Sequence, residues 1–136
     1  MNTDRTQNNL LVLAAILGGL SVAIGAFAAH GLKNLLSEQA MGWIATGVQY
    51  QQFHALALMG VILLWKQQPQ WRGLKFSAGC FVCGILLFSG SLFTMAATDV
   101  RALGMITPLG GLAFLLGWSV LAVAVVTNAK SGQNQN

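Results

Sequence analysis

Tyr50, Gln51 and His54 place a phenol, a carboxamide and an imidazole close together within a long apolar stretch. At roughly 100° per helical residue the three fall within about a quarter of one helix, with Gly47 among them, while Gln49 and Gln52 point elsewhere. Such a face can hand on a proton, hold a small polar solute, or hydrogen-bond other helices, which in lipid contributes ~0.6–2 kcal/mol per bond. Ser89 and Ser91 are candidate nucleophiles and His30 or His54 the candidate bases, but no acidic residue lies in the same stretches to orient either imidazole. Cys80 and Cys83 form a C-x-x-C, a spacing used in metal and redox sites. Its flanks are apolar and no second ligand pair lies nearby, so the cysteines read as buried small residues. No metal set and no cofactor motif is expected.

What must position these groups is a chain with only seven Lys or Arg and three Asp or Glu in 136 residues. Four stretches carry no charge at all: residues 10–29, 43–65, 76–98 and 102–129. A bilayer core is ~30 Å thick and takes roughly 20 apolar helical residues to cross. The expected fold is all-α: one integral-membrane four-helix bundle, with helices at about 10–30, 43–65, 76–98 and 102–128 and a break near Pro108. A soluble domain of this size could not cover its surface with ten ionic side chains. The net charge of +4 is scattered over several loops and makes no nucleic-acid patch. A cleavable leader ending at Ala26-Phe27-Ala28 is the rival for the first stretch. The run is long enough to span and repeats small residues every four positions, so it is read as a retained helix.

Arg5, Lys66, Arg72, Lys75 and Lys130 flank one side of the four stretches and Lys33 and Arg101 the other. By the positive-inside rule both termini are cytoplasmic. Residues 1–9 and 130–136 are expected to fray. In residues 31–42 the apolar positions Leu32, Leu35, Leu36, Ala40 and Trp43 keep helical spacing, which predicts a short amphipathic helix lying in the outer interface. Two readings are open for the last stretch: a helix starting at Thr107-Pro108, or one helix kinked at Pro108, the latter being preferred. On this topology His30, Tyr50, Gln51, His54, Ser89, Ser91 and Thr107 all lie in the outer half and make one candidate polar site. Gly19, Gly25, Gly110, Gly111, Gly117 and Trp118 are assigned to helix packing.

Residues 25–32 (Gly-Ala-Phe-Ala-Ala-His-Gly-Leu), 41–44 (Met-Gly-Trp-Ile) and 50–56 (Tyr-Gln-Gln-Phe-His-Ala-Leu) resemble motifs of one family. So do residues 87–93 (Leu-Phe-Ser-Gly-Ser-Leu-Phe), 107–111 (Thr-Pro-Leu-Gly-Gly) and Gly117-Trp118. The family is the YgdD-like small inner-membrane proteins, catalogued as domain of unknown function 423. The resemblance spans about residues 10–125, in order. Ala28, Gln49 and Phe93 depart mildly from its pattern, in which glycine is expected at the first, an acidic residue can occur at the second and tyrosine is common at the third. It implies a four-helix protein of the bacterial inner membrane and no established activity.

The function expected from these residues is a structural or partner-binding membrane module, in contact with lipid and with a second copy or another membrane protein. The alternative is a transporter or channel for protons or a small solute, built on the polar site around His54. A membrane enzyme ranks third, for want of a catalytic signature.

Overall fold

The computed structural model describes residues 2–133, with side chains from 3 to 128. All regular structure in it is helical. Helix α1 runs Asn2–Phe27 and closes in a wide π turn, Ala28–Leu32. The polar start of the chain, expected to fray, is therefore helical from Asn2. Gln7 is buried, and the Asn8 side chain accepts a hydrogen bond from Lys66 Nζ at 2.6 Å. Once α1 is nucleated, each added residue fixes one more backbone bond, and the Asn8–Lys66 contact anchors the extension to the end of α2.

Helix α2, Glu38–Gln67, begins where Ser37 caps it by accepting from the Ala40 amide at 3.2 Å. Consequently no separate interfacial helix exists in residues 31–42. Leu32 ends the first helix, residues 33–36 turn, and Glu38 opens the second. The apolar spacing there has a different cause. Leu32, Leu36 and Trp43 pack with Ile24, Val48 and Phe93 around buried Ala28, Ala40, Ile44 and Ala96, so they stitch the hairpin together. Leu35, 77% exposed, is the one member of the series left outside.

The next connection ends at Gly73, whose φ of +96° only glycine adopts cheaply. Helix α3 (Leu74–Gly84), a π turn (Ile85–Ser89) and helix α4 (Gly90–Thr98) then form one continuous rod. Asp99 reverses the chain with φ 55°, a short 3₁₀ turn covers Arg101–Met105, and helix α5 runs Thr107–Gln133. The last rod thus starts at Thr107-Pro108 after a separate turn and is not a single helix kinked at proline. Pro108 has no N–H to give and its ring clashes with a helical turn before it, so the first turn of α5 is where it fits.

Helix α2 is the centre. It packs along α1 on one side and along the α3–α4 rod on the other, and that rod carries α5. Leu58, Val61, Ile62, Leu74, Phe81 and Ile85 fill the main core. Three rods are long and apolar enough to cross a membrane: Thr3–Leu32, Leu74–Thr98 and Arg101–Asn128. α2 is long enough but does not join them on apolarity, because Gln49, Tyr50, Gln51, Gln52 and His54 interrupt it.

Where α5 crosses the third rod the backbones nearly touch. A Cβ on Gly110 would stand 2.8 Å from the Phe88 Cα, and one on Gly117 would stand 2.8 Å from the Phe81 ring. Glycines there let two helices approach to backbone contact, as small residues do in membranes.

Candidate functional site

His54 lies 16 residues from the start of α2 and 13 from its end (54 − 38 and 67 − 54). It is therefore near the middle of the rod and is 5% exposed. Its Nδ1 lies 2.8 Å from the Tyr50 carbonyl, and its Nε2 lies 3.2 Å from the indole Nε1 of Trp118 on α5. A carbonyl can only accept and an indole N–H can only donate, so the partners fix the tautomer: Nδ1 carries the hydrogen and Nε2 accepts. The imidazole lies flat on the Phe114 ring, centroids 3.5 Å apart and planes 10° from parallel. Tyr50, one turn earlier, stacks on Phe88 at 4.4 Å. Phe53 and Phe81 close around the indole. Beside this aromatic seam runs a groove of about 600 Å³ between α2 and α5, lined by Tyr50, His54, Phe88, Leu112, Phe114 and Trp118.

The other residues expected in one polar site are distributed over the fold. Gln51, also buried, donates from Nε2 to the Leu17 carbonyl of α1 at 2.8 Å. Its three-residue offset from His54 rotates it by about 60°, enough to reach α1 while His54 reaches α5, so one helix face serves two interfaces. Ser91 Oγ and Thr107 Oγ1 pair at 2.7 Å, tying the third rod to the start of α5. Ser89 is fully buried in the π turn, with no partner for its hydroxyl among the described residues. His30 is exposed in the turn that ends α1. The seven residues expected in one polar site therefore do not converge on one cleft. Apart from Ser89, the buried polar groups of this set each reach a partner on their own or a neighbouring helix, since leaving one unpaired in an apolar medium costs several kcal/mol.

Among the packing residues, Gly110 and Gly117 lie in the interface just described, Gly25 meets Val48, and Gly111 only grazes the Phe88 ring at 3.9 Å. Gly19 has no neighbour within 4 Å, so it packs nothing inside the chain. Trp118 belongs with His54 rather than with the packing glycines. The cysteines divide as well: Cys80 is buried and Cys83 exposed. No group of three His, Cys, Asp or Glu that could hold a metal occurs among the described residues.

Sequence reasoning missed the rings that frame His54, namely Phe81, Phe88 and Phe114. It also missed Ser77, which donates to the Gly117 carbonyl at 2.9 Å. One available signal pointed to the seam: a tryptophan in mid-helix, whose N–H needs an acceptor. Chemically the arrangement is a brace. Both His54 nitrogens are occupied, no carboxylate faces the ring, and Ser91 is committed to Thr107 and to the Phe88 carbonyl.

Comparison with known proteins gives a consistent result. The family described as "Protein of unknown function (DUF423)" matches residues 24–111. A UPF0382 membrane protein of Haemophilus influenzae is 44% identical, over 85% of this chain and 92% of its own. The UPF0382 inner membrane protein YgdD of Escherichia coli K12 is 38% identical over 93% and 96%. The UPF0382 membrane protein YwdK of Bacillus subtilis is 40% identical over 85% and 94%. No solved structure matches. With its long apolar rods and this similarity along most of its length, the chain is a multi-pass inner-membrane protein and belongs to the DUF423 family.

Proposed function

We propose that the protein is a four-helix membrane module with both termini in the cytoplasm, and that it works by associating with other helices in the bilayer. The observation that carries this reading is the outward face of α1. Only 11% of its most apolar stretch is buried, against 50% for the third rod. Ala15, Gly19 and Ala23, spaced by four, all lie exposed, and Gly18 and Gly19 have open space where a Cβ would go. The glycines of α5 are already consumed against the third rod, and its outer face is bulky Leu109, Leu112, Leu115 and Leu116. α1 therefore offers the small-residue face that a further helix, from a second copy or another membrane protein, can approach closely.

Orientation rests on charge. Arg5, Lys66, Arg72 and Lys75 gather at the end where Asn8 meets Lys66 and Gly73 meets Ala124, while Lys33 and Arg101 sit at the other. This asymmetry supports the reading that the first end faces the cytoplasm. Conduction is disfavoured because the polar groups are spent in separate helix contacts and trace no continuous path. Catalysis is disfavoured because neither histidine is presented to a serine with an acid behind it.

Disulfide mapping in native membranes tests the reading, using chains lacking Cys80 and Cys83. Cysteines at Ala15, Gly19 and Ala23 should cross-link to a neighbouring copy or partner, and one at Leu116 should not. Gly19→Leu should abolish the product without lowering thermal stability in detergent. Equal cross-linking from both helices, or none, would refute it. If His54→Gln changes proton or solute flux in vesicles with stability intact, the transport reading replaces it.

A further inference from the structure

Away from the aromatic seam, the basic end of the protein holds a second built feature, independent of the association face. Arg72 sits in the connection between α2 and α3, exposed, with no carboxylate partner among the described residues. Beside it Gly73, held at φ +96°, folds the loop down onto α5, so that an added Cβ would lie 3.2 Å from Val120 and 3.4 Å from Ala124. Between loop and helix lies a groove of about 360 Å³ whose mouth is Arg72 and Thr127 and whose floor is Val120, Val123 and Ala124, reaching Ser119. Thr127 is 20 residues along α5 from Thr107 (127 − 107), or ~30 Å of helix, which sets the mouth at the edge of the hydrocarbon. Ser119 is eight residues, ~12 Å, deeper. The side-chain charges described at this end are Arg5, Lys66, Arg72 and Lys75 against Asp4 alone, a balance of 4 − 1 = +3. Lys66 is engaged with Asn8, whereas Arg72 stands directly at the groove.

The geometry points to this groove as a binding site for one anionic phospholipid, its phosphate on Arg72 and an acyl chain along Val120 and Val123. A guanidinium recognises phosphate through several donors at once. It stands at headgroup level, above an apolar slot that runs inward. A soluble anion would use the guanidinium but not the slot, and a zwitterionic lipid would use the slot without the surrounding positive field. Amphiphile and charge are thus both specified. Arg72, Val120 and Val123 do not line the groove beside the aromatic seam, nor do they belong to the small-residue face of α1, so occupancy is separable from helix association.

The test uses the full chain purified in a neutral detergent, with bound lipid read by native mass spectrometry during titration with chain-matched phosphatidylglycerol and phosphatidylcholine. One phosphatidylglycerol should bind in preference, and inorganic phosphate should not displace it. Arg72→Gln should weaken phosphatidylglycerol about fivefold and erase the preference. Val123→Trp, which fills the slot without changing charge, should weaken both lipids. Lys33→Gln, at the opposite end, should change nothing. Arg72 and Val123 are exposed, so both variants should keep the wild-type melting temperature. Equal binding of the two lipids by the wild type, displacement by phosphate, an undiminished preference in Arg72→Gln, or undiminished binding of both lipids by Val123→Trp overturns the assignment.

Discussion

Replacing Trp118 by Phe removes the indole N–H and trims the bicycle to a single ring, which still sits between Phe53 and Phe81. It leaves His54 Nε2, in a side chain 5% exposed, with no donor. Orphaning a buried acceptor costs ~1–3 kcal/mol in soluble proteins. Interhelical hydrogen bonds in a bilayer measure lower, averaging ~0.6 and reaching ~1.7 kcal/mol, because the separated helices also find partners. The 3.2 Å separation is at the long end for N–H···N, so about 1 kcal/mol is expected for Trp118→Phe.

His54→Phe keeps the stack on Phe114 and removes the acceptor, and the Tyr50 carbonyl retains its ordinary helical bond. The double variant should therefore be less damaged than the two single losses added together, by about 1 kcal/mol of coupling. Reversible unfolding in mixed detergent and dodecyl sulfate, followed by helical circular dichroism, gives the four free energies. Additivity within ~0.3–0.5 kcal/mol, the scatter of independent sites, would refute the brace and leave His54 and Trp118 as mere neighbours.

Gly110→Ala should cost ~3 kcal/mol or prevent accumulation, because the new Cβ meets the Phe88 backbone, which cannot swing aside. Gly19→Ala should stay within ~0.5 kcal/mol in the same melting assay, as it enters open space. Asp99→Gly should raise stability by ~0.5–1 kcal/mol, since φ 55° strains any residue with a Cβ. Ser37→Ala should lower it by ~1 kcal/mol through loss of the α2 cap, read by the same detergent titration. Reporter fusions at the C-terminus should show activity inside the cell, and periplasmic activity would reverse the topology.

The rods were legible because lipid demands long uncharged runs, and residues 76–98 and 102–129 announce themselves by that alone. The ends were not. Whether Gln7 and Asn8 extend a helix depends on what α2 offers them, and hydropathy cannot see Lys66 waiting there. The hairpin between α1 and α2 misled for a related reason. Leu32, Leu36 and Ala40 keep helical spacing whether they line one interfacial helix or knit two helix ends together, and only the Ser37 cap tells the two apart. Helical spacing makes Gln51 and His54 neighbours on one helix. That they reach different partners, Leu17 on α1 and Trp118 on α5, follows from how those helices pack around α2, which no local pattern encodes. Gly19 and Gly110 have the same type and similar sequence settings, yet one faces open space and the other a backbone.

The central position of α2 follows from its being the most polar rod. A helix carrying Gln51 and His54 near its middle is costly beside lipid, and becomes tolerable only when adjacent helices complete those groups. α1 supplies the Leu17 carbonyl, α5 supplies the Trp118 indole, and the third rod supplies the aromatic walls Phe81 and Phe88. The surrounding rods are thereby freed to be almost wholly apolar outside, as Leu112, Leu115 and Val123 on α5 are. This division of labour also accounts for the mid-span tryptophan, which would otherwise belong at an interface. Its indole is placed where α2 needs a donor. The two buried polar side chains of α2, Gln51 and His54, thus each find a partner on a different neighbouring helix, and these pairings help to specify which helices lie beside α2.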